Sequence, residues 1–169
     1  EQGKSVVLLM SAERVEALFA VADTIKESSR AAMDGLRQLG VRTILLSGDN
    51  AHTARAIAVQ AGVDEAHGDL LPQDKLTMVA TLSQSGKTGM VGDGINDAPA
   101  LAKADIGFAM AAAGTDAAIE TADVALMDDD LRKLPVFIRL SRATHAVLVQ
   151  NITFALAVKA VFFALALAG

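Results

Sequence analysis

The amino-acid sequence predicts an α/β domain, in which a parallel sheet carries helices on both faces, followed by a transmembrane helix at the C-terminus. Three observations lead to this prediction. Short apolar runs alternate with helical patterns over residues 41–127, as is typical of a parallel sheet. Two of these runs end in turns that combine glycine with aspartate. The stretch 151–169 is almost entirely apolar.

The composition narrows the classes of function. A length of 169 residues suits one ordinary domain plus a tail. Hydrophobic residues make up 52% of the chain, and the mean hydropathy of +0.38 is high for a soluble domain. The net charge of −5 gives no support for a nucleic-acid partner, and the lack of cysteine leaves no disulfide or thiolate site within these residues. Because the chain starts without Met or a signal-peptide pattern, we expect it to begin inside a longer protein.

The N-terminal part predicts a hairpin and a helix. Apolar runs at 5–10 and 15–22 are joined by a few polar residues, which favours two antiparallel strands. The second run is also rich in Ala and Leu, so a helix there is the alternative. Apolar residues then recur with helical spacing over 27–39, and Gly40 is the expected C-cap.

The first polar turn follows a predicted strand at 41–46 and precedes a predicted helix at 51–61. Its sequence is Ser47-Gly48-Asp49-Asn50. A hydroxyl and free backbone N–H groups at a helix N-terminus can bind an anion. Taken alone, the same sequence is explained equally by ordinary N-capping.

Lys75 lies in the first turn of the next predicted helix, which Pro72 opens and which runs over about 73–83 after a short link at 63–66. A cation at a helix N-terminus opposes the macrodipole. The position therefore hints at a nearby anion, although lysines in a first turn are also common on solvated surfaces.

The second polar turn, GDGINDAP, follows a predicted strand at 87–91 and carries Asp93 and Asp97. Mg²⁺ prefers one or two carboxylates together with water and phosphate oxygens. An ordinary turn between strand and helix is the alternative. Ligands of parallel sheets bind at the C-terminal ends of the strands, so this turn and the turn at 47–49 are expected to meet over one site. The remaining predicted elements are a helix at 98–102, a strand at 105–109, a helix at 115–121 and a strand at 123–127.

The C-terminal stretch predicts a membrane span. Residues 151–169 would form a helix about 28 Å long at roughly 1.5 Å per residue, close to a bilayer core of about 30 Å. The basic residues within 131–142 suit a cytoplasmic flank. Lys159 stands near the middle of the span, where a lysine costs on the order of 3 kcal/mol, so it is expected to face other helices. A buried helix of a soluble domain is the alternative.

The sequence GDGINDAPALAKADIGFAM at 92–110 resembles the phosphorylation domain of P-type ATPases, which belong to the haloacid-dehalogenase superfamily. The resemblance runs over nearly the whole chain and implies three parts. Residues 1–21 would end a nucleotide-binding domain, 22–140 would form the haloacid-dehalogenase-like phosphorylation domain, and 141–169 would be a transmembrane helix. The family's nucleophile motif, Asp-Lys-Thr-Gly-Thr, does not occur in these 169 residues, so we expect them to have no ATPase activity alone.

The resemblance also implies roles for individual residues. The family's Thr-Gly-Asp motif matches Ser47-Gly48-Asp49, whose hydroxyl would hold the phosphoryl group. Lys75 matches the lysine that neutralises phosphate charge. Asp93 matches the Mg²⁺-binding aspartate, Asp97 the second acidic residue of that Mg²⁺ motif, and Asn96 an asparagine that contacts phosphate. Phosphoryl transfer depends on positioning and on cations that absorb charge, which Lys75 and Mg²⁺ would supply.

The apolar helix resembles that of zinc, cadmium and lead pumps, in which an asparagine precedes a lysine by eight residues, as Asn151 precedes Lys159. The resemblance implies an ATP-driven exporter of a divalent metal cation (Zn, Cd or Pb) working through an aspartyl-phosphate. The parent protein would cross the cell membrane several times, in contact with the lipid bilayer, and hold residues 1–140 in the cytoplasm. Mg²⁺ and ATP are the implied cofactors. Two alternatives remain open: a soluble phosphatase of the same superfamily, and a non-enzymatic, membrane-anchored regulatory protein.

Overall fold

The computed structural model describes residues 5–11, 14–21, 25–93, 96–110, 116–128 and 130–169. Its contacts divide the chain into two units, Glu1–Arg132 and Lys133–Gly169. The described elements are, in chain order, β1 (Ser5–Met10), β2 (Val15–Val21), α1 (Glu27–Gln38), β3 (Ile44–Leu46), α2 (Ala51–Ala61), β4 (Glu65–His67), α3 (Pro72–Ser85), β5 (Gly89–Gly92), α4 (Ala98–Lys103), β6 (Ile106–Met110), α5 (Asp116–Thr121), β7 (Val124–Leu126) and α6 (Lys133–Ala168).

Strands β1 and β2 form the predicted antiparallel hairpin. Their register pairs Leu8 with Leu18, and it shifts between Leu9 and Met10. The alternative of a helix over 15–22 is wrong, because backbone pairing with β1 overrides the helical preference of Ala and Leu.

The parallel strands form two hydrogen-bonded groups among the described residues. Strand β3 pairs with β4, and β5, β6 and β7 pair in that order. The prediction of a simple link at 63–66 is wrong, because Glu65–His67 is a strand in register with β3. The α/β class with parallel strands is as predicted, but Glu65-Ala66-His67 carries no apolar run that would indicate a strand.

The core of the first unit lies between helices α3 and α4 and the strands β5 and β6. Val79 and Leu101 are almost completely buried there, with 2% and 1% of their surfaces exposed. Leu46, the last residue of β3, packs against the same cluster. The buried members of the cluster are Val79, Met90, Ala100, Leu101 and Ala109. The end of β3 and the strand β5 therefore share one core.

An ion-paired network joins α1, β3 and β4 around Asp64. Its carboxylate accepts hydrogen bonds from the backbone N–H and the hydroxyl of Thr43, both at 2.8 Å, and from Arg37 Nη2 at 3.2 Å. The Thr43 backbone bond, followed by the Thr43 hydroxyl and Arg37, lowers the pKa of Asp64 from 3.8 to about 2. These contacts hold the start of β3 in place at the opposite end of that strand from Ser47.

The second unit is the single helix α6. Its 36 residues correspond to about 54 Å at roughly 1.5 Å per residue. Its most apolar window has a mean hydropathy of 2.0, and none of that window is buried. The helix is long and apolar enough to cross a membrane. Helix α6 begins at Lys133, eight residues before the membrane span predicted at 141–169. The basic residues from Lys133 onward therefore belong to the same helix as the apolar stretch.

Candidate functional site

The first polar turn is built from short-range hydrogen bonds at the start of α2. The Ser47 hydroxyl donates to Asp49 Oδ2 at 2.9 Å, and the Asp49 backbone N–H donates back to Ser47 Oγ at 3.1 Å. Asn50 caps the helix, since its Oδ1 accepts from the backbone N–H of Thr53 at 2.8 Å. Asp49 and Asn50 are exposed, so the turn presents a hydroxyl and a helix N-terminus at the surface, a combination suited to an anion.

An ion pair that is largely shielded from solvent joins Lys75 to Asp97. Lys75 Nζ donates to Asp97 Oδ1 at 2.8 Å, and the two side chains are only 13% and 16% exposed. Lys75 comes from the first turn of α3, and Asp97 precedes α4. The anion that the position of Lys75 hints at is thus Asp97, 22 residues further along the chain.

Gly92, the last residue of β5, makes room for this pair. A Cβ at Gly92 would lie 3.1 Å from both the Cβ and Oδ2 of Asp97. Any side chain there would press on the aspartate, which faces inward to Lys75. The glycine therefore allows the turn to fold back over the end of its own strand.

Asp93 and Asn96 lie on the outer side of the second turn. Both are exposed, and the residues between them, 94 and 95, fall outside the described part of the chain. Asp93 directly follows β5 and is exposed, whereas the side chain of Asp97 is only 16% exposed. The two carboxylates therefore differ in their access to solvent. Mg²⁺ takes one or two carboxylates together with water and phosphate oxygens, and the exposed carboxylate of Asp93 is of the kind that fits it. Among the described residues, no group of three or more His, Asp or Glu side chains could hold a metal ion.

The two turns follow the C-terminal ends of β3 and β5, and these two strands pack against the same hydrophobic core. Leu46, which precedes Ser47, packs against the cluster that contains Met90, three residues before Asp93. Asn151 and Lys159 lie on α6 and are exposed in its unit. Eight residues separate them, which is about 12 Å along a helix.

One contributor to the first turn was missed by sequence reasoning. Asp69, in the loop after β4, accepts a hydrogen bond from the backbone N–H of Ala51 at the start of α2. It has a left-handed backbone with φ of 57°, which is uncommon for a residue other than glycine. A Gly68-Asp69 pair is a turn signal in the sequence, but the missed strand β4 concealed its link to Ser47.

Two ionic contacts close to the strands lie outside these turns. Lys87 Nζ donates to Asp105 Oδ1 at 2.7 Å, and this contact raises the pKa of Lys87 and lowers the pKa of Asp105. In β4, His67 Nε2 lies 2.8 Å from Glu65 Oε1, and this hydrogen bond lowers the pKa of Glu65, assisted by Arg42. Both contacts join side chains near the ends of strands, and neither involves a side chain of the two polar turns.

Comparison with known proteins places the chain in a family. The model of the haloacid dehalogenase-like hydrolases matches residues 1–105. The chain is 50% identical to a probable cadmium-transporting ATPase of Alkalihalophilus pseudofirmus, over 99% of the chain and 24% of that protein. It is 46% identical to a cadmium-transporting ATPase of Staphylococcus aureus, over 99% of the chain and 23% of that protein.

A solved structure gives the same result. The crystal structure of a zinc-transporting PIB-type ATPase in the E2.Pi state superposes with a TM-score of 0.86 and 46% identity, over 95% of this chain and 26% of the other. The chain spans about a quarter of the length of the relatives that it matches. The fold class and the relationship to metal-transporting P-type ATPases are therefore confirmed. The chain belongs to the haloacid dehalogenase-like hydrolases and is similar, over nearly its whole length, to one segment of the cadmium- and zinc-transporting ATPases.

Proposed function

We propose that the chain is the phosphorylation segment, with one following membrane helix, of an ATP-driven exporter of divalent heavy-metal cations. The observation that carries the proposal is the largely buried pair between Lys75 of α3 and Asp97 of the GDGINDAP turn, in a chain that is 46–50% identical to cadmium-transporting ATPases. A phosphate-binding lysine must be held in a fixed position, and the contact with Asp97 at 2.8 Å holds the Lys75 ammonium beside the second turn.

The proposed reaction moves the terminal phosphoryl group of ATP to an aspartate elsewhere in the parent protein and then to water. The Ser47 hydroxyl and the backbone N–H groups of its turn would hold the phosphoryl oxygens. Lys75 would offset their negative charge, and Asn96 would donate to one of them. Asp93 and Asp97 would hold Mg²⁺, which supplies further positive charge when bound. These five side chains act by positioning and by electrostatics, and no proton transfer by them is required.

The membrane part of the proposal concerns α6. Its apolar, exposed surface would lie in the lipid bilayer and against other helices of the parent, with residues 1–140 in the cytoplasm. Lys159, near the middle of the span, carries no lone pair as an ammonium and cannot bind a cation. Instead, its charge would help to release a divalent metal such as Zn²⁺, Cd²⁺ or Pb²⁺, with Asn151 on the same helix.

Residues 1–21 would be the end of the nucleotide-binding domain that holds ATP.

The test is metal-stimulated ATP hydrolysis by the full-length transporter. We expect Zn²⁺, Cd²⁺ or Pb²⁺ to stimulate hydrolysis in the presence of Mg²⁺, and Asp93→Asn to abolish the stimulated rate. Asp34→Asn, which changes an exposed aspartate in α1, is the matched control and should leave the rate unchanged. Metal-independent hydrolysis of simple phosphate monoesters, with no response to these ions, would favour a phosphatase and overturn the proposal.

A further inference from the structure

We propose that Asp69 is a positioning residue for phosphoryl transfer, because it fixes the phosphate-binding turn Ser47–Asn50 through the N-terminus of α2. The inference rests on the function proposed above and assigns a role to a loop that the motif resemblance leaves without one. The side chain itself does not touch the phosphoryl group. Its effect passes through the backbone of the turn.

A set of hydrogen bonds ties the two segments together. The backbone N–H of Ser47 donates to the carbonyl of His67 at 2.9 Å, and that of Leu70 donates to the carbonyl of Ser47 at 3.1 Å. The backbone N–H of Asp69 donates to the carbonyl of Asp49 at 2.6 Å. The turn is therefore bound to the loop after β4 at both of its ends.

The side chain of Asp69 adds a hydrogen bond to the first residue of helix α2. Its Oδ2 accepts from the backbone N–H of Ala51 at 3.0 Å. Since the first N–H groups of a helix have no partner within it, a carboxylate there is favoured both as an acceptor and by the helix dipole. Asn50 already accepts from Thr53, so the two acceptors satisfy different N–H groups of the same helix end.

Close backbone packing leaves this loop little freedom. A Cβ at Gly68 would lie 2.5 Å from Ala51 Cα and 2.7 Å from the Asp49 carbonyl oxygen, so only glycine fits. Asp69 itself adopts φ of 57°, a conformation that Asp, Asn and Gly accept more readily than other residues. The packing and the unusual backbone together direct the carboxylate to Ala51.

The same loop also leads to the lysine of the site. The Leu71 backbone N–H donates to Asp74 Oδ2 at 2.9 Å, and the Lys75 N–H donates to the Leu71 carbonyl at 3.2 Å. Helix α3, which carries Lys75 in its first turn, thus begins only a few residues after the contact between Asp69 and Ala51. Fixing the loop therefore fixes the hydroxyl turn and the start of the lysine helix relative to each other.

The experiment compares substitutions of Asp69 in the full-length transporter. Asp69→Gly removes the carboxylate at a backbone geometry that glycine accepts without strain, whereas Asp69→Asn keeps an acceptor there. Asp130→Gly is the control, because Asp130 is another loop aspartate whose carboxylate accepts from a backbone N–H at 3.0 Å, that of Arg132, and it also pairs with the Arg132 guanidinium. Three quantities are measured: the maximal metal-stimulated rate, the KM for ATP, and the concentration of orthovanadate that inhibits by half.

Asp69→Gly should lower the maximal rate roughly tenfold and raise the half-inhibiting vanadate concentration by a similar factor. Vanadate mimics the transferring phosphoryl group and reports on the turn directly. The KM for ATP should stay within about twofold, because the turn does not hold the nucleotide base. Asp69→Asn should resemble the wild type in all three quantities, and Asp130→Gly should be unchanged.

Vanadate sensitivity within twofold of the wild type in Asp69→Gly would overturn the inference, and so would an equal loss in Asp69→Asn. If Asp69→Gly does not accumulate as folded protein, Asp69→Glu takes its place. It keeps the charge but displaces the carboxylate by one methylene, and wild-type vanadate sensitivity in that variant would likewise overturn the inference.

A transporter without metal-stimulated activity would contradict the proposed function, and hydrogen exchange then decides the positioning role separately. The Ala51 amide should exchange faster in Asp69→Gly than in Asp69→Asn, and equal exchange in the two variants would overturn the inference.

Discussion

Replacing Lys75 by methionine should destabilise the first unit far more than the same replacement at Lys87. Both lysines donate to an aspartate at nearly the same distance, 2.8 Å for Lys75–Asp97 and 2.7 Å for Lys87–Asp105. They differ in burial, since the Lys75 side chain is 13% exposed and the Lys87 side chain 93% exposed. Methionine keeps most of the apolar stem and removes the charge, so the comparison isolates the effect of leaving the aspartate without its cation.

The expected magnitudes follow from that difference. Removing one partner of a buried ion pair leaves an uncompensated charge and typically costs about 3–5 kcal/mol. Because Asp97 retains 16% exposure, we expect the lower end of that range, about 3 kcal/mol, for Lys75→Met. An exposed pair contributes about 0–1 kcal/mol, so Lys87→Met should cost less than about 1 kcal/mol.

The assay is urea unfolding of the detergent-solubilised chain, followed by circular dichroism because the chain has no Trp or Tyr. Adding Asp97→Asn to Lys75→Met should recover about 1–2 kcal/mol, since it removes the stranded charge. Equal free energies of unfolding for Lys75→Met and Lys87→Met would refute the reasoning, as would no recovery in the double variant.

Three further predictions concern stability and insertion. The pKa of Asp64 is lowered to about 2, so its contribution to stability is complete above pH 3.8 and is lost as the pH falls through about 2. The stability gap between wild type and Asp64→Asn should shrink over that range in acid titrations, and a constant gap would contradict this. Gly107→Ala would place a Cβ 2.8 Å from the Leu101 carbonyl oxygen, so calorimetry should show a loss of about 1–3 kcal/mol, whereas an unchanged melting temperature would disprove the clash. Lys159→Leu should favour membrane insertion of α6 by about 3 kcal/mol in a glycosylation-mapping assay, and unchanged insertion would show that the lysine is not at the membrane centre.

The order of strands and helices from Ile44 to Leu126 could largely be predicted, because apolar runs and helical periodicity alternate there. Strand β4 could not, since Glu65-Ala66-His67 is a strand only by pairing with β3. Such a parallel pairing cannot be predicted from the local sequence, because a helix separates the two strands along the chain. Helix α6 begins at Lys133, ahead of the membrane span predicted at 141–169, because its helical backbone continues through the basic residues before that span.

The candidate site was predicted in its parts but not in its contacts. Ser47, Lys75 and Asp93 could be chosen from motifs and from their place at strand or helix ends. The pairing of Lys75 with Asp97 bridges 22 residues and depends on how α3 and α4 share a core, which no spacing rule gives. Asp69 was missed for a related reason, because its importance comes from packing against the start of α2.

ATP-dependent uptake of Zn²⁺ or Cd²⁺ into inside-out vesicles that contain the full-length transporter would show metal export directly. We expect uptake by the wild type and by Lys87→Met, and loss of uptake by Lys75→Met at equal expression. Absence of uptake by a folded wild type that hydrolyses ATP, or full uptake by Lys75→Met, would contradict this expectation.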